Sequence, residues 1–482
     1  MTATIRTKYD VVVIGSGIGG LTAAAYLVRS GLSVLLIERH QKVGGYCGSF
    51  WRDGYCFDEA VHYVNHYSPG GILRDICEEL EISDRLKIAS ADISDVILLP
   101  DIRISIYRDW RKTVGHLAED FHNEQKGIQN FFEEVALSDF PTWYVKYRRQ
   151  TFHDLLDLHF KDTRLKTALG LLATTLGLPP NQLSALAALA YFKGSVLDGG
   201  YHPVGGAQKL SDALRECFEA SGGDVVVGTA VQRIEVSNGK VQGVKLEDGR
   251  RVEGRAVLSN ADATYTYERL IGQEHCGNNF LNRIRKLRPS LSMVVVYLGI
   301  SQPPSESVPQ CSNLWSFPYY RLEDGSMDLV EDDRTDGWLH MGVSSLFDRT
   351  MAPPGRSSLT LFGGASYMTP EYWQENKPRI AQVVIERASK VLPRIKESIE
   401  VQLVATPYTL YRYTLNRQGA YRGWDPTPSQ SQWGLVRQKS EIEGLYLTGH
   451  WITTPSANGG VSVVGRLGKQ VAKSIIRKLK RS

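Results

Sequence analysis

The N-terminal segment combines two short apolar runs with a glycine-rich turn and a helical stretch between them. Residues 9–14 (YDVVVI) form the first run, and GSGIGG, LTAAAYLVRSG and a second run at residues 33–37 (SVLLI) follow. β-Branched runs of this length favour strands, and the alanine-rich stretch favours a helix. The order strand, turn, helix, strand predicts one βαβ unit, and therefore part of a parallel sheet.

Different patterns follow along the rest of the chain. Residues 80–200 contain amphipathic helical segments such as GIQNFFEEVALSDF. Residues 225–261 predict a strand meander, in which Asn238-Gly239 and Asp248-Gly249 favour tight hairpin turns. Strand-like runs return in SMVVVYLGI and SSLTLFGGAS, and a last run at residues 444–448 leads into a glycine-rich turn and a closing helix.

The sheet-forming segments at the start, the middle and the end of the chain are separated by other material. This distribution predicts an α/β fold in which a Rossmann-type dinucleotide-binding domain is discontinuous and interleaved with an α+β substrate domain. We assign residues 1–80, 200–290 and 400–482 to the first domain. Residues 81–199 and 291–399 are assigned to the second.

The turn GSGIGG has the spacing of a dinucleotide-binding fingerprint. Gly15 permits the sharp turn, Gly17 lets the backbone approach a pyrophosphate, and Gly20 allows the helix to pack closely on the strand. The helix N-terminus then offers N–H donors to phosphate. Glu38 ends the next strand, where an acidic side chain can accept hydrogen bonds from ribose hydroxyls.

Both NAD and FAD use this fingerprint, so the choice between them depends on other segments. Gly44-Gly45 follows the acidic residue and lets a second loop approach the cofactor phosphates. Near the C-terminus, Gly449 follows a strand, and residues 459–461 enter a helix whose amides suit the electron-rich edge of a flavin. Together these turns favour FAD. Arg39 leaves the 2′-phosphate of NADP as the alternative.

The chain resembles the family of phytoene desaturases, carotenoid cis–trans isomerases and retinol saturases over nearly its whole length. The His62-Tyr63 pair is most similar to the retinol saturase branch. The resemblance implies an FAD-binding domain like that of glutathione reductase and amine oxidases, with the backbone of Val231 at the adenine end. It is carried by GSGIGG, the loop from Glu38 to Gly45, Phe57-Asp58, GGYHPVGG (199–206), VLSNAD (257–262), TPYTLYRYTLNRQGAYRGW (406–424) and GHW…NGGV.

These motifs define the candidate site residues. Histidines that titrate near neutrality, or a carboxylate, could exchange a proton with the substrate while a hydride moves to or from the flavin. The candidates for this role are His62, His202, His450 and Glu59. The candidate cofactor-binding residues are Gly15, Gly17, Ile18, Gly19, Gly20, Glu38, Arg39, Gly44, Gly45, Val231, Gly449, Gly459, Gly460 and Val461.

Composition narrows the function classes further. The chain has 482 residues and a net charge of only +4, which disfavours a nucleic-acid partner. Mean hydropathy is −0.24, and no apolar stretch approaches the ~18–20 residues of a spanning helix. Six cysteines without a CxxC pair predict neither a metal site nor a disulfide scaffold. We therefore expect a cytoplasmic protein.

Two stretches predict peripheral contact with a membrane. Residues 140–152 (FPTWYVKYRRQTF) interleave aromatic side chains with Lys146, Arg148 and Arg149, and the C-terminal helix carries several lysines and arginines. Aromatic and cationic residues together suit a lipid interface where an insoluble substrate is taken up. Solvated helix surfaces are the alternative for both stretches.

The sequence thus predicts an FAD-dependent oxidoreductase that acts on the C=C or C–C bonds of a long lipophilic polyene. Desaturation, saturation and flavin-assisted isomerisation remain open, because all three require a bond held over the flavin. With a single nucleotide fingerprint in the chain, the electron partner is expected to be a quinone, O2 or another external reagent. The alternatives are an oxidase of a smaller amine or peptide-derived metabolite, and a flavin-fold protein without turnover.

Overall fold

The computed structural model describes residues 5–304, 311–322, 326–346, 348–454 and 459–481. The strands within these residues are β1 Lys8–Ile14, β2 Val34–Ile37, β3 Ser49–Arg52, β4 Tyr55–Asp58, β5 Ile88–Ser90, β6 Ile93–Leu98, β7 Arg103–Tyr107, β8 Tyr201–Pro203, β9 Asp224–Val226, β10 Val231–Ser237, β11 Lys240–Leu246, β12 Arg251–Ser259, β13 Ser292–Ile300, β14 Cys311–Ser316, β15 Leu339–Gly342, β16 Ser357–Ala365, β17 Ile399–Ala405 and β18 Leu445–Leu447.

The α-helices of the same residues cover the sheets and connect them. They are α1 Ile18–Arg29, α2 Ile72–Glu79, α3 Trp110–Asp120, α4 Gln125–Leu137, α5 Phe140–Tyr147, α6 Phe152–His159, α7 Thr163–Ala173, α8 Ala185–Tyr191, α9 Gln208–Ala220, α10 Ala263–Tyr265, α11 Asn278–Lys286, α12 Pro370–Val391, α13 Ile395–Ser398, α14 Pro407–Thr414 and α15 Val461–Arg481.

The first sheet has a parallel core in the order β18-β12-β1-β2-β9. Val11, Val12 and Val13 of β1 are fully buried, as expected for a parallel strand covered on both faces. Helices α1 and α15 pack against each other on one face, where a Cβ at Gly468 would lie 2.4 Å from the Gly19 carbonyl oxygen. The predicted βαβ unit is therefore present, and the closing helix of the chain joins it.

The predicted meander is confirmed for β10, β11 and β12 but not for the strand before them. β10 and β11 pair antiparallel around Asn238 and Gly239, which both have positive φ angles. β9 lies elsewhere, at the edge of the parallel core beside β2. Gly228, at φ 73°, lies between β9 and β10. The chain therefore leaves one edge of the sheet and enters the meander at the other.

The second sheet is mainly antiparallel, in the order β17-β13-β16-β15-β14-β6-β7. The predicted domain boundary at residue 400 falls inside β17, which pairs with β13 of this sheet. The hairpin β3-β4 also packs its aromatic rings here: Tyr55 and Phe57 lie in one cluster with Tyr297 and Phe362. The division into two domains stays a prediction, but these contacts tie the N-terminal segment and residues 400–405 to the second sheet.

The helices α4 to α8 form an apolar cluster that takes up several of the aromatic residues between 140 and 152, and membrane contact of this stretch stays a prediction. Trp143, Tyr147 and Phe152 are buried in this cluster, and Tyr144 packs against it. Helix α5 begins after Asp139, whose side chain accepts from the Thr142 amide, and its aromatic face turns inward. Burial of apolar area against neighbouring helices therefore determines the position of these rings.

The basic residues of the C-terminal helix from Lys473 onwards are exposed, whereas Lys469 lies over the ring of Tyr26 in α1. Lys469 also pairs with Glu79. Of the helices in the described part of the chain, none is long and apolar enough to cross a membrane.

Candidate functional site

A glycine-lined cavity opens where the parallel strands end. β1 ends at Ile14, and α1 begins at Ile18 after Gly17, with no side chain capping its first turn. The second glycine loop lies against this turn, because the Gly44 amide donates to the Ser16 carbonyl oxygen over 3.0 Å. The uncapped N–H groups and the positive end of the helix dipole suit a pyrophosphate.

The glycines of the turn are required for different contacts. A Cβ at Gly20 would lie 2.1 Å from the Gly15 carbonyl oxygen, so any side chain there would displace the turn. At Gly17 and Gly19 a Cβ would instead meet the Asn260 side chain, at 2.8 Å and 2.7 Å. The glycines of the turn therefore allow close contact both with the Asn260 side chain and between parts of the turn's own backbone.

Asn260 was not among the predicted site residues. It follows β12 directly, and its Oδ1 atom is buried without a hydrogen-bond partner. The sequence does hold a signal for it, since the residue after a strand parallel to β1 must end at the same edge of the sheet as Gly15.

Glu38 is held in place by three donors. Its Oε2 accepts from the Ser16 amide (2.9 Å) and hydroxyl (2.6 Å), and its Oε1 accepts from the His40 amide (2.9 Å). Since a carboxylate oxygen can accept two hydrogen bonds, Oε1 keeps a free position towards the cavity. This geometry suits a ribose hydroxyl. Arg39 lies beside it and is exposed.

The structure brings most of the predicted cofactor-binding residues to this cavity. Gly19 and Gly20 lie behind its wall, where they pack α1 on its neighbours. Gly459 lines an adjoining cavity instead. The predicted residues that line the glycine-lined cavity are Gly15, Gly17, Ile18, Glu38, Arg39, Gly44, Gly45, Val231, Gly449, Gly460 and Val461.

The hydrogen-bonding groups of the glycine-lined cavity fit FAD. The uncapped start of α1 offers amides to the diphosphate, Glu38 offers an acceptor to the ribose, and the unpartnered Oδ1 of Asn260 lies between them and Gly449. At the second helix start, no atom of the described residues lies within 4 Å of a Cβ placed on Gly460, which lines both this cavity and the adjoining one. Residues 455–458 of the predicted C-terminal turn lie outside the described residues.

The adjoining cavity, called here the aromatic cavity, shares five lining residues with the glycine-lined one: Tyr46, Val61, Tyr421, Gly460 and Val461. The two cavities are therefore continuous. Rings and aliphatic side chains contribute ten of the other residues that line it. These are Tyr63, Leu176, Tyr191, Leu291, Met293, Trp315, Met327, Trp338, Phe362 and Val463.

The polar part of the aromatic cavity centres on one amide. Asn313 Oδ1 accepts from His62 Nε2 at 2.6 Å and from His340 Nε2 at 3.0 Å. Asp95 accepts from the Asn313 side chain, which fixes the orientation of the amide. Because Oδ1 is only an acceptor, both imidazoles carry their proton on Nε2. The Nδ1 atom of His62 is buried without a partner.

Burial keeps these groups in their neutral forms. It lowers the pKa of His62 to about 4, against the opposing effect of the Asn313 hydrogen bond. Burial also holds the pKa of His340 well below its ordinary value, and its ring stacks on Trp315 with centroids 3.8 Å apart. Trp315 Nε1 in turn donates to Asp95 Oδ1 over 2.8 Å. The result is a rigid wall of uncharged rings.

The four predicted acid–base residues are separated by the fold. His62 lines the aromatic cavity, and His450 lines the glycine-lined one, where burial lowers its pKa to about 4. His202 lines neither, because its Nδ1 lies 2.9 Å from the His62 carbonyl oxygen and its Nε2 lies 3.7 Å from Asp348. Glu59 lines neither and lies against Gly48. The geometry therefore gives the prediction for His202 and Glu59 no support.

Sequence reasoning also missed Asn313, His340 and Arg422, which line or support the aromatic cavity. Asn313 and His340 lie on β14 and β15, and pairing of these strands places Trp315 opposite His340. No local sequence pattern predicts Asn313 and His340 as site residues. Their side chains come together only because β14 and β15 pair in a particular register. Arg422 lies inside the GAYRGW segment that carried the family resemblance.

Comparison with known proteins agrees with this geometry. The sequence profile of the family described as flavin containing amine oxidoreductase matches residues 18–476. The chain is 24% identical to an all-trans-retinol 13,14-reductase of Danio rerio, over 93% of this chain and 83% of the relative. It is 26% identical to the chloroplastic prolycopene isomerase of Arabidopsis thaliana, over 92% of this chain and 79% of the relative.

Solved structures show the same fold at lower identity. An oxidoreductase from Methanosarcina mazei superposes with a TM-score of 0.67 at 18% identity, covering 97% of this chain and 100% of the other. A putative protoporphyrinogen oxidase from Exiguobacterium sp. gives 0.66 at 15% identity, covering 99% and 100%. A putrescine oxidase gives 0.67 at 17% identity, covering 98% and 99%.

Proposed function

We propose a long lipophilic polyene as the substrate of this chain, which belongs to the flavin containing amine oxidoreductase family and binds FAD. The proposed reaction is desaturation, saturation or isomerisation at the C=C or C–C bonds of that polyene. Two relatives are named for retinol and prolycopene, which are both polyenes, and this supports the choice. A quinone, O2 or another external reagent serves as the electron partner.

The lining of the aromatic cavity is the observation that carries the proposal. Among the described residues that line it, none is an aspartate or a glutamate, whereas Arg422 brings a positive charge. An ammonium group would be repelled there and would find no counter-ion. A neutral conjugated chain can pack against the rings of Trp315, Phe362 and Tyr191 that line the cavity. This charge pattern opposes the amine alternative.

The chain's own residues perform binding, orientation and exclusion of water. FAD, when bound, would supply a two-electron centre for hydride exchange with carbon. The amides at the start of α1 and the carboxylate of Glu38 would hold the diphosphate and the ribose of FAD, and the aromatic wall would keep water from the reacting carbons. His62 lines the aromatic cavity as a neutral imidazole, and it is the candidate that we propose for exchanging a proton with the substrate.

An anaerobic visible spectrum of the purified protein with a panel of polyenes tests the proposal. Loss of the oxidised flavin band on adding a polyene indicates desaturation, and reoxidation of the reduced protein indicates saturation. A changed double-bond geometry with no net change of the flavin indicates isomerisation. Oxygen uptake during turnover distinguishes O2 from a quinone. If amines bleach the flavin and no polyene perturbs it, the proposal is wrong.

A further inference from the structure

We propose that Arg422 binds an anionic group at one end of the substrate, so that the preferred polyene carries a carboxylate. The inference rests on the proposed function, because it names a feature of the substrate in the same cavity. It starts from the position of a guanidinium in an otherwise uncharged, largely apolar wall.

Within the part of the chain that the structure describes, the contacts of Arg422 leave most of its donors unused. Its Nη2 donates to Thr175 Oγ1 over 3.3 Å, and its Nε is buried without a hydrogen-bond partner. The guanidinium also hydrogen-bonds the Tyr421 hydroxyl, and its carbon lies 5.6 Å from the centre of the Tyr421 ring. A guanidinium has five N–H donors, so a carboxylate can still bind it through two of them.

The surroundings hold the side chain at a fixed place. The Arg422 amide donates to Ser290 Oγ over 3.0 Å, and the hydroxyl of the adjacent Tyr421 donates to the Thr175 carbonyl oxygen over 2.8 Å. The Cγ of Arg422 lies close to Gly459, where a Cβ would be 3.0 Å away. Thr175 Oγ1 accepts from Arg422 and keeps its own hydrogen for a second bond to the same anion.

The charge of Arg422 has no compensation inside the cavity. None of the described lining residues carries a carboxylate, and Asp95 lies behind Trp315 and Asn313. The three nearby imidazoles of His62, His340 and His450 have pKa values lowered first by burial and further by the positive charge of Arg422. They are neutral and cannot offset it. An anion from the substrate would supply the missing counter-charge.

Binding of matched ligands tests this inference directly. The probes are all-trans-retinoic acid, its methyl ester and all-trans-retinol, which share one polyene chain and differ at its end. Trp315 and Trp338 line the cavity, so quenching of tryptophan fluorescence by the polyene reports binding without turnover. Wild type is expected to bind the acid about tenfold to a hundredfold more tightly than the ester or the alcohol.

Substitutions of Arg422 then test whether this side chain causes the preference for the acid. Arg422→Met is expected to abolish the preference for the acid while leaving the affinity for the alcohol within about twofold, and Arg422→Lys is expected to retain part of it. Arg356→Met is the control, because it removes an exposed guanidinium that pairs with Glu400 outside both cavities.

Two results would overturn the inference and leave the proposed function standing: equal affinity of wild type for acid and alcohol, or an acid preference that survives in Arg422→Met. If the preference for the acid survives in Arg422→Met and the flavin reduction potential of the variant changes, the positive charge of Arg422 acts on the cofactor and not on the substrate. If none of the three polyenes quenches the fluorescence or perturbs the flavin, the proposed function fails together with the inference.

Discussion

The glycine-lined cavity and the aromatic cavity share a boundary but are built in opposite ways. The first is made largely of backbone, at the carboxyl ends of β1, β2 and β12. The second is made of side chains contributed by segments as distant as residues 46 and 463. Backbone sites need glycine at defined spacings, whereas side-chain sites only need compatible shapes. The first kind therefore leaves a motif in the sequence and the second does not.

The two cavities also differ in charge. The glycine-lined cavity pairs a helix N-terminus with the Glu38 carboxylate, which suits a diphosphate joined to a ribose. The aromatic cavity holds a guanidinium among neutral imidazoles, and its described lining residues include no acid. Substitutions in one cavity should consequently leave the function of the other measurable.

The largest expected effect is on cofactor retention. Gly17→Val should abolish FAD binding, because its Cβ would lie 2.8 Å from Asn260 Nδ2 and its methyl groups would extend towards the pyrophosphate. The ratio of flavin absorbance to protein absorbance after purification measures this. Gly115→Ala in α3 is the control, since its Cβ would meet no atom within 4 Å. A yellow Gly17→Val protein would contradict the assignment of the turn.

An intermediate effect is expected when the amide in the aromatic cavity is removed. Asn313→Leu leaves His62 Nε2, His340 Nε2 and Asp95 without a shared partner, which should lower the free energy of unfolding by about 2–5 kcal/mol. Flavin content should stay near that of wild type. Thermal unfolding and flavin absorbance give the two readouts.

Asn376→Leu is a matched control for this substitution. Its Nδ2 donates to the Tyr372 carbonyl oxygen and its Oδ1 accepts from Arg379 Nη2, both within α12 near the surface, so a loss of less than about 1 kcal/mol is expected. Equal destabilisation by both substitutions would show that the shared amide has no special part in the aromatic wall.

The smallest effect depends on pH. The pKa of His62 falls from 6.5 in the unfolded chain to about 4 in the folded protein, mainly through burial. The unfolded state therefore binds the proton first, and the contribution to stability present above pH 6.5 is lost as pH falls towards 4. Relative to His62→Gln, wild type should lose about 2–3 kcal/mol between pH 7 and pH 4.

Unfolding of wild type and His62→Gln in denaturant at several pH values measures how the difference in their free energies of unfolding changes with pH. Because Asp262 and Asp425, whose pKa values burial raises to about 6, titrate in the same range with the opposite effect, only the difference between the two proteins is informative. A difference that is independent of pH would contradict a buried neutral His62.

Much of the fold could be predicted from local pattern. The βαβ unit, the Asn238-Gly239 hairpin and the run that became β13 all follow from apolar periodicity and turn chemistry within short windows. Residues 140–152 could not, because a stripe of aromatic and basic residues suits a membrane surface and a packed helix equally well. The position of α5 against α4 and α8 buries several of these aromatic rings.

The sequence by itself determined the glycine-rich turn that is predicted to hold FAD, because a backbone that approaches a diphosphate requires glycine at Gly15, Gly17 and Gly20 and an acceptor such as Glu38 at the next strand end. Only the tertiary structure decided which polar side chains reach the adjoining cavity. It brought His62, His340 and Arg422 there and left His202 and Glu59 behind the wall. The physical reason is that side-chain proximity depends on strand register and helix packing between distant segments.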